Sequence, residues 1–153
     1  MKLDRLVNSV ELTTLVHATE DEAKVRKAVL NLFPPGAEPP AFEALSLTGY
    51  FGDSLTTLKM TVKNRRPATE LLVHVVTRLN SLDQTTLMDE LPQRIDETKN
   101  LYIRLDKQKA LRGQIALDVH DAIRVKAKIH VPHGLDPVET TRRYLEDAAG
   151  GQP

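Results

Sequence analysis

The sequence predicts an α+β domain built on a mainly antiparallel sheet with helices packed on one face. Several short stretches alternate apolar and polar residues, the period of a half-buried strand. Two longer stretches carry apolar residues at i, i+3, i+4 and i+7, the period of an amphipathic helix. Strand-like stretches follow one another directly at two places, as in hairpins, so hairpins rather than parallel crossovers are expected to dominate the sheet.

The first strand is Val10–Val16, rich in β-branched residues. Thr19-Glu20-Asp21-Glu22 then reads as a capping box, with Thr19 capping and Glu22 reaching back. Behind it, Val25, Ala28, Val29, Leu32 and Phe33 form an apolar stripe, ended by Pro34-Pro35-Gly36. Ala44–Phe51 and Ser54–Lys63 read as a hairpin turning at Gly52-Asp53. A helix follows Asn64, with Pro67 in its first turn and Leu71, Leu72, Val75, Val76 and Leu79 on its buried side. Thr85–Asp96 predicts a second helix, bent at Pro92.

Leu101, Ile103 and Leu105 alternate with Tyr102 and Arg104 as a strand. Asp106–Arg112 reads as a short helix capped by Asp106 and ended by Gly113. Ile115, Leu117 and Val119 predict one more strand, and Ile123, Val125, Ala127 and Ile129 the last. Asp136–Ala148 is a polar helix with few large apolar residues, expected to attach loosely, before a Gly-Gly-Gln-Pro tail. Residues 1–133 thus form the α+β unit and 134–153 a C-terminal helix and tail, within one domain overall.

Composition narrows the function. The chain has 153 residues, 41% hydrophobic and 27% charged, suited to a folded domain with its own core. It has no cysteine, which excludes disulfides, thiolate catalysis and Cys-type metal sites and suits a reducing cytoplasm. No apolar run approaches the roughly 20 residues of a membrane span, and the N-terminal stretch lacks a signal-peptide core, so no membrane partner is expected. No serine lies in a nucleophile-elbow setting, and Gly49–Gly52 lacks the Lys-Ser/Thr of a phosphate-binding loop. His130 and His133 flank a proline, and with His120 and Asp121 they make a poor metal set. His17 reads as a turn residue. No catalytic residue and no cofactor are expected.

Net charge is zero, yet charge is segregated along the chain. Residues 99–130 carry 8 basic and 3 acidic groups, a net +5, whereas residues 67–98 carry 2 and 6, a net −4. The pleat assigns the cations a direction, because alternate side chains point oppositely. With Ile123, Val125, Ala127 and Ile129 inward, Arg124, Lys126, Lys128 and His130 point outward. The same parity turns out Lys59, Thr61 and Lys63 opposite Leu58, Met60 and Val62, and Tyr102 and Arg104 opposite Leu101, Ile103 and Leu105. A cationic sheet face of this kind attracts a polyanion. Arg65 and Arg66 at one strand-to-helix junction, and Lys107, Gln108, Lys109 and Arg112 at another, complete the expected binding set.

Three stretches together resemble one known family: His17–Val25 its opening strand-to-helix junction, Leu47–Asp53 its hairpin, and Arg104–Ala110 a later strand-to-helix segment. It is the archaeal family described as predicted exosome-associated RNA-binding proteins, with a fold compared to double-stranded-RNA-binding domains and to ribosomal protein L5. The resemblance spans roughly residues 8–131. It implies RNA as partner and a cytoplasmic setting near RNA processing, the exosome or ribosome-related machinery, and it supplies no catalytic residue. Double-stranded-RNA-binding domains present lysines where their last helix begins. Here the last helix begins Asp136-Pro137-Val138-Glu139, so the L5-like comparison suits the chain better. With 3 Tyr, 3 Phe and no Trp, structured RNA is expected over stacked single strands. The alternative is a protein–protein adaptor or homodimer docking through the sheet or its edge.

Overall fold

A computed structural model describes residues 6–48 and 54–150. Five strands form one sheet: β1 (Val7–His17), β2 (Glu43–Thr48), β3 (Ser54–Val62), β4 (Asn100–Asp106) and β5 (Ala122–Ile129). Their spatial order is β2-β3-β1-β5-β4, and every neighbouring pair is antiparallel. The expected Gly52-Asp53 turn lies outside the described residues.

The alternation seen in the sequence decides which side is buried. Val10, Leu12 and Val16 of β1, Leu58, Met60 and Val62 of β3, Leu101, Ile103 and Leu105 of β4, and Ile123, Val125, Ala127 and Ile129 of β5 all point into the core. The β1–β5 register slips between Val7 and Ser9. That irregularity lets Val7 and Val10 both turn inward although they are three positions apart.

Over this inner side lie α1 (Glu22–Leu30) and α2 (Arg65–Arg78). Val25, Ala28 and Val29 of α1 are buried, as is Leu32 just beyond it, while Phe33 is half-buried. Leu71, Leu72, Val75 and Val76 of α2, with Leu79 after it, are buried as their spacing predicts. The cap of α1 differs from expectation: Asp21, not Thr19, accepts the amide of Ala23 at 3.0 Å. Residues 18–20 are still turning, with the Glu20 amide bonded to the His17 carbonyl at 2.9 Å. Extended cap geometry is therefore reached only at Asp21.

The bent helix expected over Thr85–Asp96 is two helices, α3 (Ser81–Asp89) and α4 (Leu91–Arg94), and α3 starts earlier because Asn80 caps it. Pro92 sits in the first turn of α4. A proline without an N–H, whose ring clashes with the carbonyl four residues back, favours restarting a helix over continuing one. The strand expected over Ile115–Val119 is a single bridge between Leu105 and Leu117. The Leu117 amide donates to the Asp83 carboxylate at 3.0 Å instead of to a ladder. This short segment runs along the outer edge of β4, leaving β2 at the other end of the sheet.

The short helix α5 (Lys107–Leu111) is capped by Asp106, which accepts the Lys109 amide at 2.9 Å, and Gly113 follows with φ +80°. The last helix, α6 (Pro137–Gly150), is not loosely attached. Thr140, Thr141, Leu145 and Ala148 are buried, Leu145 within the main core, and Arg142 donates to the Met88 carbonyl at 2.9 Å. Small and threonine side chains let it lie close on its neighbours, with the Thr141 hydroxyl satisfied by the Pro137 carbonyl at 2.7 Å. Among the described residues no helix is long and apolar enough to cross a membrane.

Candidate nucleic-acid interface

The side of the sheet away from α1 and α2 carries the cations in cross-strand rows. One row runs Lys59–Thr13–Arg124–Arg104, the next Thr61–Glu11–Lys126–Tyr102, and a third Ser9–Lys128–Asn100. Facing residues on neighbouring strands lie about 5 Å apart, and successive rows about 7 Å. Lys63, one residue past β3, continues the outward parity and is exposed. Arg65 and Arg66 follow it in the first turn of α2, both exposed, with Arg66 3.8 Å from Glu70.

Glu11 stands in the middle of this face, a residue the charge count along the chain does not single out. Its carboxylate lies 3.5 Å from Lys59 Nζ and 3.4 Å from Arg124 Nη2, so those two cations are partly neutralised. The Arg124 guanidinium also sits 5.7 Å from the Tyr102 ring centroid. The Tyr102 hydroxyl donates to Asp96 at 2.9 Å, which raises the tyrosine pKa. Asp96 is held well below the usual carboxylate range, first by the Asn100 backbone amide and then by Tyr102, Thr98 and the Asn100 side chain, against a raising effect of burial. Lys128 donates to the Thr98 carbonyl. Lys63, Arg104 and Lys126 form no ion pair with any described residue and stand available to an anion. At the other end of the face, Leu45, Leu47 and Leu15 are exposed and form an apolar margin beside β2.

The α5 residues separate. Gln108, Lys109 and Arg112 are exposed, but α5 packs on α1, so they are not part of the open sheet face. Lys107 is buried with 2% of its side chain exposed, which corrects its expected place in the binding set. Its ammonium donates to the Leu15 carbonyl at 2.8 Å and lies 3.0 Å from both Glu20 and Asp121, while His17 Nε2 is 3.3 Å from Asp121. Burial raises the Asp121 pKa, but the hydrogen bonds from Lys107 and His17 outweigh it and hold the carboxyl below its ordinary value. His17, Glu20 and Asp121 have metal-ligand atoms within 4.8 Å of one another. The Lys107 ammonium already sits against both carboxylates, and its charge opposes a metal cation there. This constellation pins the start of α5 to the end of β1. Asp121 therefore meets His17, and not the His120, His130 and His133 with which the sequence groups it.

The architecture defines a class: an α+β domain with one buried sheet side and one open side dominated by lysine and arginine. The family model described as RNA binding matches residues 9–129, and the chain belongs to that family. It is similar to the RNA-binding protein PAB1135 of Pyrococcus abyssi, 33% identical over 125 residues that span 80% of this chain and 81% of that one. Among solved structures it resembles Mth689, a DUF54 protein from Methanothermobacter thermautotrophicus, at 33% identity and a TM-score of 0.72, covering 94% of this chain and 98% of that one. It also resembles AF2318 from Archaeglobus fulgidus, at 26% identity and a TM-score of 0.76, covering 93% and 99%.

Proposed function

We propose that this protein is a non-catalytic RNA-binding protein of the archaeal cytoplasm that holds structured RNA against its open sheet face. The observation that carries the reading is the convergence of Lys59, Arg104, Arg124, Lys126 and Lys128 from three strands on one side of a chain with zero net charge. Family membership and the name of the Pyrococcus relative support RNA as the polyanion. Tyr102 is the one Phe, Tyr or Trp on that face among the described strand residues, which favours backbone contacts with folded RNA over base stacking. Arg65 and Arg66 extend the footprint beyond β3, and the resemblance to exosome-associated and L5-like proteins supports a place near RNA-processing or ribosomal components.

Binding to a hairpin RNA across a salt series tests the reading. Each phosphate contact contributes about 0.7–0.9 to the log–log slope, so Arg104→Ala with Lys126→Ala should flatten it by about 1.5. An unchanged slope in a folded double variant would remove the sheet face from the interface. A second reading, an adaptor or homodimer, is favoured by Leu45 and Leu47 on edge strand β2, 62% and 53% exposed. Sedimentation of wild type against Leu45→Lys tests it: a dimer lost in the variant supports it, and a monomer in both removes it.

A further inference from the structure

On the helix side of the molecule, a cleft of about 590 Å³ opens between the ends of α1 and α2 and the turn after α5. His74, Arg78 and Lys109 line it together with Asn31, Asn80 and Gln114, and among the described residues no carboxylate lines it. Neither Arg78 nor Lys109 forms an ion pair with a described residue. We infer that this cleft is a phosphate-binding site, separate from the sheet face and independent of whether that face binds RNA.

The parts fit the chemistry of an oxyanion. Guanidinium and ammonium groups supply charge-assisted donors, and the side-chain amides of Asn80 and Gln114 add neutral ones. The Asn31 amide donates to the Ala110 and Leu111 carbonyls at 2.9 and 3.2 Å, tying the end of α5, and Lys109 with it, to α1. His74 Nδ1 lies 3.0 Å from the Leu32 carbonyl. A carbonyl only accepts, so Nδ1 carries the hydrogen and Nε2 takes up any further proton. Burial lowers the His74 pKa, the Leu32 hydrogen bond partly restores it, and the Arg78 charge lowers it again. Among the described residues, the charged groups lining the cleft with His74 are Arg78, one turn on in α2, and Lys109 from α5, both cations. An anion between them offsets that repulsion, so phosphate binding raises the His74 pKa and tightens as pH falls.

The test follows the imidazole carbon-bound protons of His74 by NMR through a pH titration, without and with inorganic phosphate or pyrophosphate. The expected result is a saturable upward move of the His74 midpoint. Arg78→Gln and Lys109→Gln, checked for wild-type melting, should each weaken phosphate about tenfold. One hairpin oligonucleotide carrying a 5′-phosphate or a 5′-hydroxyl then distinguishes the sources. A response to the phosphorylated form alone assigns a terminal phosphate, an equal response to both assigns a backbone phosphate, and saturation by the inorganic anion alone assigns a free one. A His74 midpoint unmoved by every one of these probes overturns the inference, as does wild-type affinity in both folded variants. Arg104→Ala with Lys126→Ala should leave the His74 response intact, so failure at the sheet face and failure at the cleft are read separately.

Discussion

Replacing Lys107 should destabilise the fold far more than a lysine in a binding junction would. Its ammonium is bonded to the Leu15 carbonyl and to two carboxylates, with 2% of the side chain exposed. Lys107→Met keeps most of the buried volume but takes the ammonium from the Leu15 carbonyl and from Glu20, itself mostly covered, which keeps only the His17 amide at 2.9 Å. Removing one partner of a fully buried pair costs about 3–5 kcal/mol. Asp121 is half-exposed and can be solvated in the variant, which brings the figure to about 2–3 kcal/mol. Lys107→Ala adds a cavity and should cost about 1 kcal/mol more. The assays are urea and thermal unfolding followed by circular dichroism at neutral pH, and 2–3 kcal/mol lowers the melting temperature by roughly 4–12 °C for a chain of this size. The pH dependence supplies a second readout. The Asp121 pKa is lowered in the folded state, so its contribution is full above the ordinary carboxylate value near ~4 and is lost as pH falls through the lower folded value. The wild type should lose stability across that acid window, and Lys107→Met should show a flatter acid limb. An unfolding midpoint equal to wild type in Lys107→Met would refute the reasoning.

Three further outcomes follow from the structure. Leu145→Ala should cost about 2–5 kcal/mol by opening a cavity where α6 meets the core, and a melting temperature within 2 °C of wild type, roughly the shift from half a kcal/mol, would mean that α6 is peripheral. Asp106→Ala should cost about 1 kcal/mol through loss of the bond to the Lys109 amide, measured by the same urea series. Glu11→Gln should release Lys59 and Arg124, tightening RNA binding and steepening its salt slope; weaker binding would mean that Glu11 orients those cations for the ligand.

Parity and helical spacing are local quantities, which is why so much of the scaffold is legible without coordinates. Val25, Ala28, Val29 and Leu32, and likewise Leu71, Leu72, Val75 and Val76, are buried because three- and four-residue spacing puts them on one side of a helix. The outward set on β5, β4 and β3 follows from a period of two, and the register then aligns those strands so that their cations share a side. Where three alternating residues are the whole signal, as at Ile115–Val119, a carboxylate from elsewhere in the chain, Asp83, accepts the Leu117 amide and outweighs it. The polar α6 hides its attachment because threonine and alanine pack closely without raising hydrophobicity.

Long-range placement governs everything that depends on charge partners. Lys107 lies beside Lys109 in sequence, yet one is buried against Glu20 and Asp121 and the other lines an open cleft. The partners of Lys107 stand 87 and 14 residues away from it in the chain, separations that no local period encodes. Glu11 sits on the outward side of β1, but only the β3 and β5 registers bring Lys59 and Arg124 to it. His74 and Arg78 occupy neighbouring turns of α2, and the cleft exists only because the ends of α1 and α5 close around them. Sequence alone thus determined the sheet, its buried side and the direction of its cations, since these rest on backbone geometry repeated residue by residue. Tertiary structure decided which cations are free, because a charge is neutralised by whatever the fold brings within a few ångströms of it, regardless of distance along the chain.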